Sequence, residues 1–121
     1  MFCCKFMIGV FTFVQMLNQL ALRMKDLHAL GYVHRDLKPG NVMWLPRENC
    51  WTVIDFGCAA RTGDSARLAF SLAYASPEVV AAFRRGDKTI VAQVSPYHLQ
   101  ILNFTCMLLF EAAQEMVLVY W

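Results

Sequence analysis

The run His34-Arg35-Asp36-Leu37-Lys38-Pro39-Gly40-Asn41 is followed by Asp55-Phe56-Gly57. Together they place a candidate proton acceptor, a candidate phosphate-binding cation and two candidate magnesium ligands within a short span. Phosphoryl transfer needs such groups in one place. The attacking hydroxyl must be oriented, and charge on the moving phosphoryl must be neutralised by metal and cation. Singly, each run has a bland reading: His-Arg-Asp as a solvated turn, Asp-Phe-Gly as the exit from a strand. Their order and separation favour the chemical reading over both.

The flanking sequence must position these groups. Residues 14–30 carry Leu17, Leu20, Met24, Leu27 and Leu30 at helical spacing, with Gln15, Asn18, Gln19, Arg23, Lys25 and Asp26 mostly on the other face. Gly31 sits where such a helix would end in a left-handed cap. Asn41-Val42-Met43-Trp44-Leu45 and Trp51-Thr52-Val53-Ile54-Asp55 read as two short strands, with Pro46-Arg47-Glu48-Asn49-Cys50 as the turn between them. The expected order is helix, polar loop, hairpin, then Asp-Phe-Gly.

These residues resemble a known family. His34–Asn41 is similar to the catalytic loop of eukaryotic-type protein kinases, and Asp55-Phe56-Gly57 to the metal motif that follows it. Ser71-Leu72-Ala73-Tyr74-Ala75-Ser76-Pro77-Glu78 resembles the end of a kinase activation segment, with Ser76 where the family usually has Ala. The resemblance covers roughly residues 11–94 and implies a partial kinase domain. The fold class it implies is α+β: a mainly helical C-lobe fragment with a short β-hairpin after the catalytic loop, and no N-lobe. Residues 1–10 and 95–121 are expected to be divergent apolar ends.

The resemblance also implies roles. Asp36 would accept or orient the proton of the substrate hydroxyl. Lys38 would stabilise charge on the transferring phosphate, and its place after Asp-Leu suggests a Ser/Thr kinase. Asn41 and Asp55 would hold magnesium, and ATP with Mg2+ would be the cofactors. Arg35 would pair with a phosphorylated residue after Gly57, because a guanidinium fork fits phosphate oxygens. Thr62 and Ser65 are the candidate phosphosites, set against the plainer reading of a polar loop. Ser71 falls where the family has a Thr or Ser that shapes the substrate pocket. Tyr74 and Glu78 would be structural, and His34 is read as structural too.

Several family parts are not found among the 121 residues. Gly9 is the only glycine before Gly31, no Val-Ala-Ile-Lys-like strand occurs, and no Glu precedes Glu48. Lys5, with no glycine loop ahead of it, is not assigned the phosphate-pairing role. Ser95-Pro96-Tyr97-His98-Leu99-Gln100-Ile101 carries no acid where the family has a helix opening on Asp. A premature stop, altered splicing or a shifted frame after about Gln93 is the expected cause. The expectation is a chain with weak or no phosphoryl transfer to Ser/Thr of protein substrates. The alternatives are a non-catalytic binding or decoy module, and a degraded kinase fragment.

Composition bounds the rest. One domain at most fits 121 residues. A hydrophobic share of 58% with mean hydropathy +0.40 is high for a small domain. Exposed apolar surface and self-association are therefore expected. The resemblance implies a protein substrate or a partner kinase lobe as the binding partner. A net charge of +2 with only the Arg84-Arg85 pair gives no nucleic-acid stripe. Five scattered Cys suggest neither a disulfide framework nor a zinc site, so free thiols and a cytoplasmic location are expected. Residues 6–22 and 89–110 lack charge. Gln15, Asn18 and Gln19 in the first, and Pro96, His98, Gln100 and Asn103 in the second, argue against membrane insertion.

Overall fold

The computed structural model describes the backbone of residues 2–119 and the side chains of residues 9–97 and 101–111. Of the two expected apolar ends, the side chains of residues 1–8, 98–100 and 112–121 lie outside the described residues.

A long first helix, α1 (Phe2–Ala29), leads to the short strand β1 (Tyr32–Val33) and a 3-10 turn at Pro39–Asn41. The hairpin β2 (Val42–Leu45) and β3 (Cys50–Val53) follows, then β4 (Ala60–Arg61) and β5 (Ser65–Arg67). A second 3-10 turn at Leu72–Tyr74, α2 (Pro77–Arg84), β6 (Thr89–Val91) and α3 (His98–Val119) complete the order. The strands form three separate antiparallel pairs, β1 with β4, β2 with β3, and β5 with β6. The class is α+β.

The core is built where α1 crosses α3. Met16, Leu20 and Met24, four residues apart, meet Leu102 and Cys106 of α3 and Val53 of β3, all buried. Four-residue spacing keeps side chains on one face of a helix. The buried stripe is therefore shifted from the one expected: Leu17 and Leu27 only flank it, and Leu30 is 76% exposed. The helix stops at Ala29, as the glycine predicted. Gly31 takes φ +82, and the Leu30 and Gly31 amides donate to Asp26 O and His28 O. Gln19, expected on the solvent side, turns its Oε1 to the Trp51 amide at 2.8 Å and ties β3 to α1.

The hairpin forms where the sequence placed it, with Trp44 opposite Trp51 and their rings 5.3 Å apart. Asn49 makes the turn at φ 50, a conformation Asn tolerates. Asn41 leaves the expected strand and sits in the 3-10 turn instead. The segment after Gly57 carries two short strands. β4 pairs Arg61 with Tyr32, and β5 pairs Ser65 with Val91. The apolar stretch 89–110 divides into β6 and the first half of α3, and no helix among the described residues is long and apolar enough to cross a membrane.

Candidate functional site

The site is assembled at the end of α1. The β1–β4 pairing draws the chain after Asp55-Phe56-Gly57 back beside the His34–Asn41 loop. The Ile54 amide donates to Asn41 O at 2.8 Å, which holds the two motifs edge to edge. His34 is the anchor. Its ring is 2% exposed, its Nε2 lies 3.0 Å from Ile54 O, and its Nδ1 accepts the Asp36 amide at 3.2 Å. That pattern requires a neutral ring protonated on Nε2. Phe56 stands edge-on to it, with centroids 5.2 Å apart. A structural role for His34 accords with both contacts.

Asp36 lies at the centre of a closed polar network. Its Oδ1 accepts the Ser71 hydroxyl at 2.9 Å. Its Oδ2 faces Lys38 Nζ at 3.2 Å and accepts from Asn41 Nδ2, also at 3.2 Å. Lys38 Nζ in turn donates to Ser71 Oγ at 2.8 Å. The Asp36 side chain is only 12% exposed, so these contacts act in a partly dry setting where charge interactions count for more. Ser71 comes from a segment far along the chain, and its hydroxyl joins the carboxylate to the ammonium.

Asn41 is buried and spends its amide hydrogens on Asp36 O, at 2.8 Å, and on Asp36 Oδ2. These two bonds at Nδ2 fix the direction of Oδ1 at the other end of the amide. Asp55 is exposed and held at φ 59, with Oδ1 accepting the Gly57 amide at 3.1 Å. Left-handed backbone at a non-glycine residue costs about 1–2 kcal/mol and tends to mark functional positions. Two hard oxygen donors, one amide and one carboxylate, are the chemistry that magnesium takes from protein, with water and phosphate filling the other positions. Among the described residues no group of three His, Cys, Asp or Glu side chains could hold a metal by themselves.

Arg35 is the second strained residue, at φ 70. Its guanidinium donates to Cys58 O at 3.2 Å and to Arg67 O at 2.6 Å, so it clamps the segment by two carbonyls. Thr62 and Ser65 lie in that segment, and both are exposed. A cavity of about 100 Å³ opens beside the network, between His34, Asp36, Ser71, Ser76, Glu78 and Ile90. Ser76 is buried at the start of α2. Sequence reasoning did not identify the carbonyl clamp or the β5–β6 pairing. Ser65-Ala66-Arg67 has alternating exposure in the structure, but three residues are too few for a strand signal.

The chain matches the protein kinase domain family over residues 6–109. It is 47% identical over 38 residues to serine/threonine-protein kinase Kist of Mus musculus, covering 31% of this chain and 9% of that protein. Against stress-activated protein kinase JNK of Suberites domuncula it is 35% identical over 92 residues, 75% of this chain and 23% of the relative. Ribosomal protein S6 kinase alpha-2 of Mus musculus is 40% identical over 74 residues, 58% of this chain and 10% of the relative. The chain thus spans less than a quarter of the length of each of these relatives. A family match over most of its length, from the long helix into α3, makes this chain a member of the serine/threonine protein kinase family.

Proposed function

We propose that the chain carries the phosphoryl-acceptor side of a Ser/Thr protein kinase site, on what would be the C-lobe. The observation that supports this most is the Asp36–Ser71–Lys38 network closed by Asn41. In this reading Asp36 orients the substrate hydroxyl and takes its proton, a job that needs a carboxylate within hydrogen-bond reach of the acceptor. Lys38 places positive charge beside the transferring phosphoryl. Asn41 and Asp55 would hold magnesium, which would supply positive charge to offset that of the ATP phosphates. Ser71 keeps Asp36 and Lys38 in register before substrate arrives.

Calorimetry with ATP, with and without magnesium, tests the reading. Binding by this chain is expected to be weak, because no glycine-rich phosphate loop occurs among the 121 residues. Asp55→Asn should abolish the magnesium-dependent part. Asp36→Ala should leave binding intact and lower any phosphoryl transfer to a Ser/Thr peptide about 100-fold or more. Unchanged magnesium-dependent affinity in Asp55→Asn removes Asp55 from the metal role.

A second reading, a non-catalytic module that docks a protein, is favoured by Leu72 at 70% exposed on the segment next to Ser71. A partner pull-down that survives Asp36→Ala but fails when residues 71–80 are disrupted would select it over catalysis.

A further inference from the structure

We propose that Thr89 is a phosphorylation site read across the β5–β6 ribbon by Arg67. The ribbon pairs Ser65 with Val91, Ala66 with Ile90 and Arg67 with Thr89. In an antiparallel pair, directly opposite residues share a face, with Cβ atoms about 4.5–5.5 Å apart. Exposure alternates accordingly. Ala66 and Ile90 are half-buried, while Ser65, Arg67, Thr89 and Val91 all face solvent. One exposed face therefore carries a cation flanked by two hydroxyls.

The Arg67 guanidinium is uncommitted. Its carbonyl accepts from Arg35, but no hydrogen bond or ion pair engages its side chain among the described residues. A guanidinium fork matches phosphate oxygens, and a phosphothreonine offers three of them with nearly two negative charges. Charge decides which hydroxyl is the better site. Ser65 adjoins Asp64, whose carboxylate would repel a phosphate. Thr89 adjoins Lys88, and the nearby Asp87 is already neutralised by Arg85 at 2.8 Å. β6 belongs to a two-stranded sheet, so its outer edge is extended backbone outside any ladder.

The modification is ordinary phosphoryl transfer by a protein kinase acting on this chain. A bond forms between Thr89 Oγ1 and the γ-phosphorus of ATP, the γ-phosphorus bond to the bridging oxygen of ADP breaks, and the hydroxyl proton passes to that kinase's base. The consequence is mechanical. β5 lies on the segment between Gly57 and Ser71, so a phosphate linking Thr89 to Arg67 fastens that segment from the far side. Nothing in this inference requires the chain itself to transfer phosphate.

The full chain carrying genetically encoded phosphothreonine at position 89 provides the test. The Leu68 amide donates to Lys88 O, and the Ala92 amide to Asp64 O. Both should exchange with solvent about threefold more slowly than in the unmodified chain, in keeping with one cross-strand charge pair. Arg67→Gln should remove the slowing, and Arg67→Lys should keep part of it. The same variants without phosphate provide the baseline, since Arg67 is exposed and takes part, among the described residues, through its backbone carbonyl rather than its side chain. Equal exchange with and without phosphate, or slowing that survives Arg67→Gln, would overturn the proposal. So would a chain recovered from eukaryotic cells with phosphate on Thr62 or Ser65 and never on Thr89.

Discussion

Two side chains of α3 show how burial sets energetics one residue at a time. Thr105 is fully buried, and its Oγ1 has no hydrogen-bond partner among the described residues. A hydroxyl taken from water without compensation costs about 1–3 kcal/mol. Thr105→Val keeps the shape and removes that cost, so it should stabilise the chain by about 1 kcal/mol in a denaturant titration. A destabilised variant would mean that the hydroxyl has a partner. Its neighbour Cys106 is also fully buried, and burial pushes its thiol from the usual 9.0 up to about 11. Between those two values the unfolded chain has released the proton and the folded one still holds it. Stability must then fall as pH rises, by at most about 1.4 kcal/mol per pH unit. Below pH 9 the contribution is flat. Cys106→Ala should show a shallower alkaline decline between pH 9 and 11 than the parent chain, and identical slopes would contradict the burial argument.

The elements show which signals were legible and which were not. Gly31 was readable as a helix stop, and it adopts the left-handed conformation that makes glycine useful there. A Cβ at Gly31 would meet nothing within 4 Å, so Gly31→Ala isolates the conformational cost. It should destabilise by about 1 kcal/mol, read as a lower thermal midpoint. The hairpin was legible because two apolar runs flank a Pro- and Asn-containing turn. The face of α1 was read only approximately. Leu30 fits the sequence period but lies past the end of the helix, and Met16 lies on the buried face because α3 packs there. Propensity cannot report where another helix will lie. The catalytic-loop motif was readable as chemistry, yet the Ser71 contact was not, since Lys38 and Ser71 lie 33 residues apart. The clamp of Arg35 on Cys58 O and Arg67 O was hidden for a similar reason. Backbone carbonyls carry no sequence signature, and the residues expected to receive Arg35 were hydroxyls.

At the scale of the molecule, the apolar composition is only partly absorbed by one small core. Phe11 and Leu30 are exposed on or beside α1, and Leu72 and Phe83 on or beside α2. A chain of this size leaves about a third of its unfolded surface in water. Concentration-dependent association is therefore expected in sedimentation, and a monodisperse monomer at high concentration would contradict it. Beside this apolar surface lies the polar network, where Asn41 and Asp55 are taken to hold one cation with ATP beside Asp36. Manganese has the same preference for hard oxygen ligands and broadens nuclear resonances near it. The decisive measurement is a titration of the isotopically labelled chain with Mn2+ and ATP. The Asn41 side-chain amide and the Asp55 and Gly57 backbone amides should broaden first, while the Phe11 backbone amide, far along α1 from Met24 at the cavity, stays sharp. Uniform broadening, or loss of signal at the acidic surface residues before Asn41 and Asp55, would contradict it.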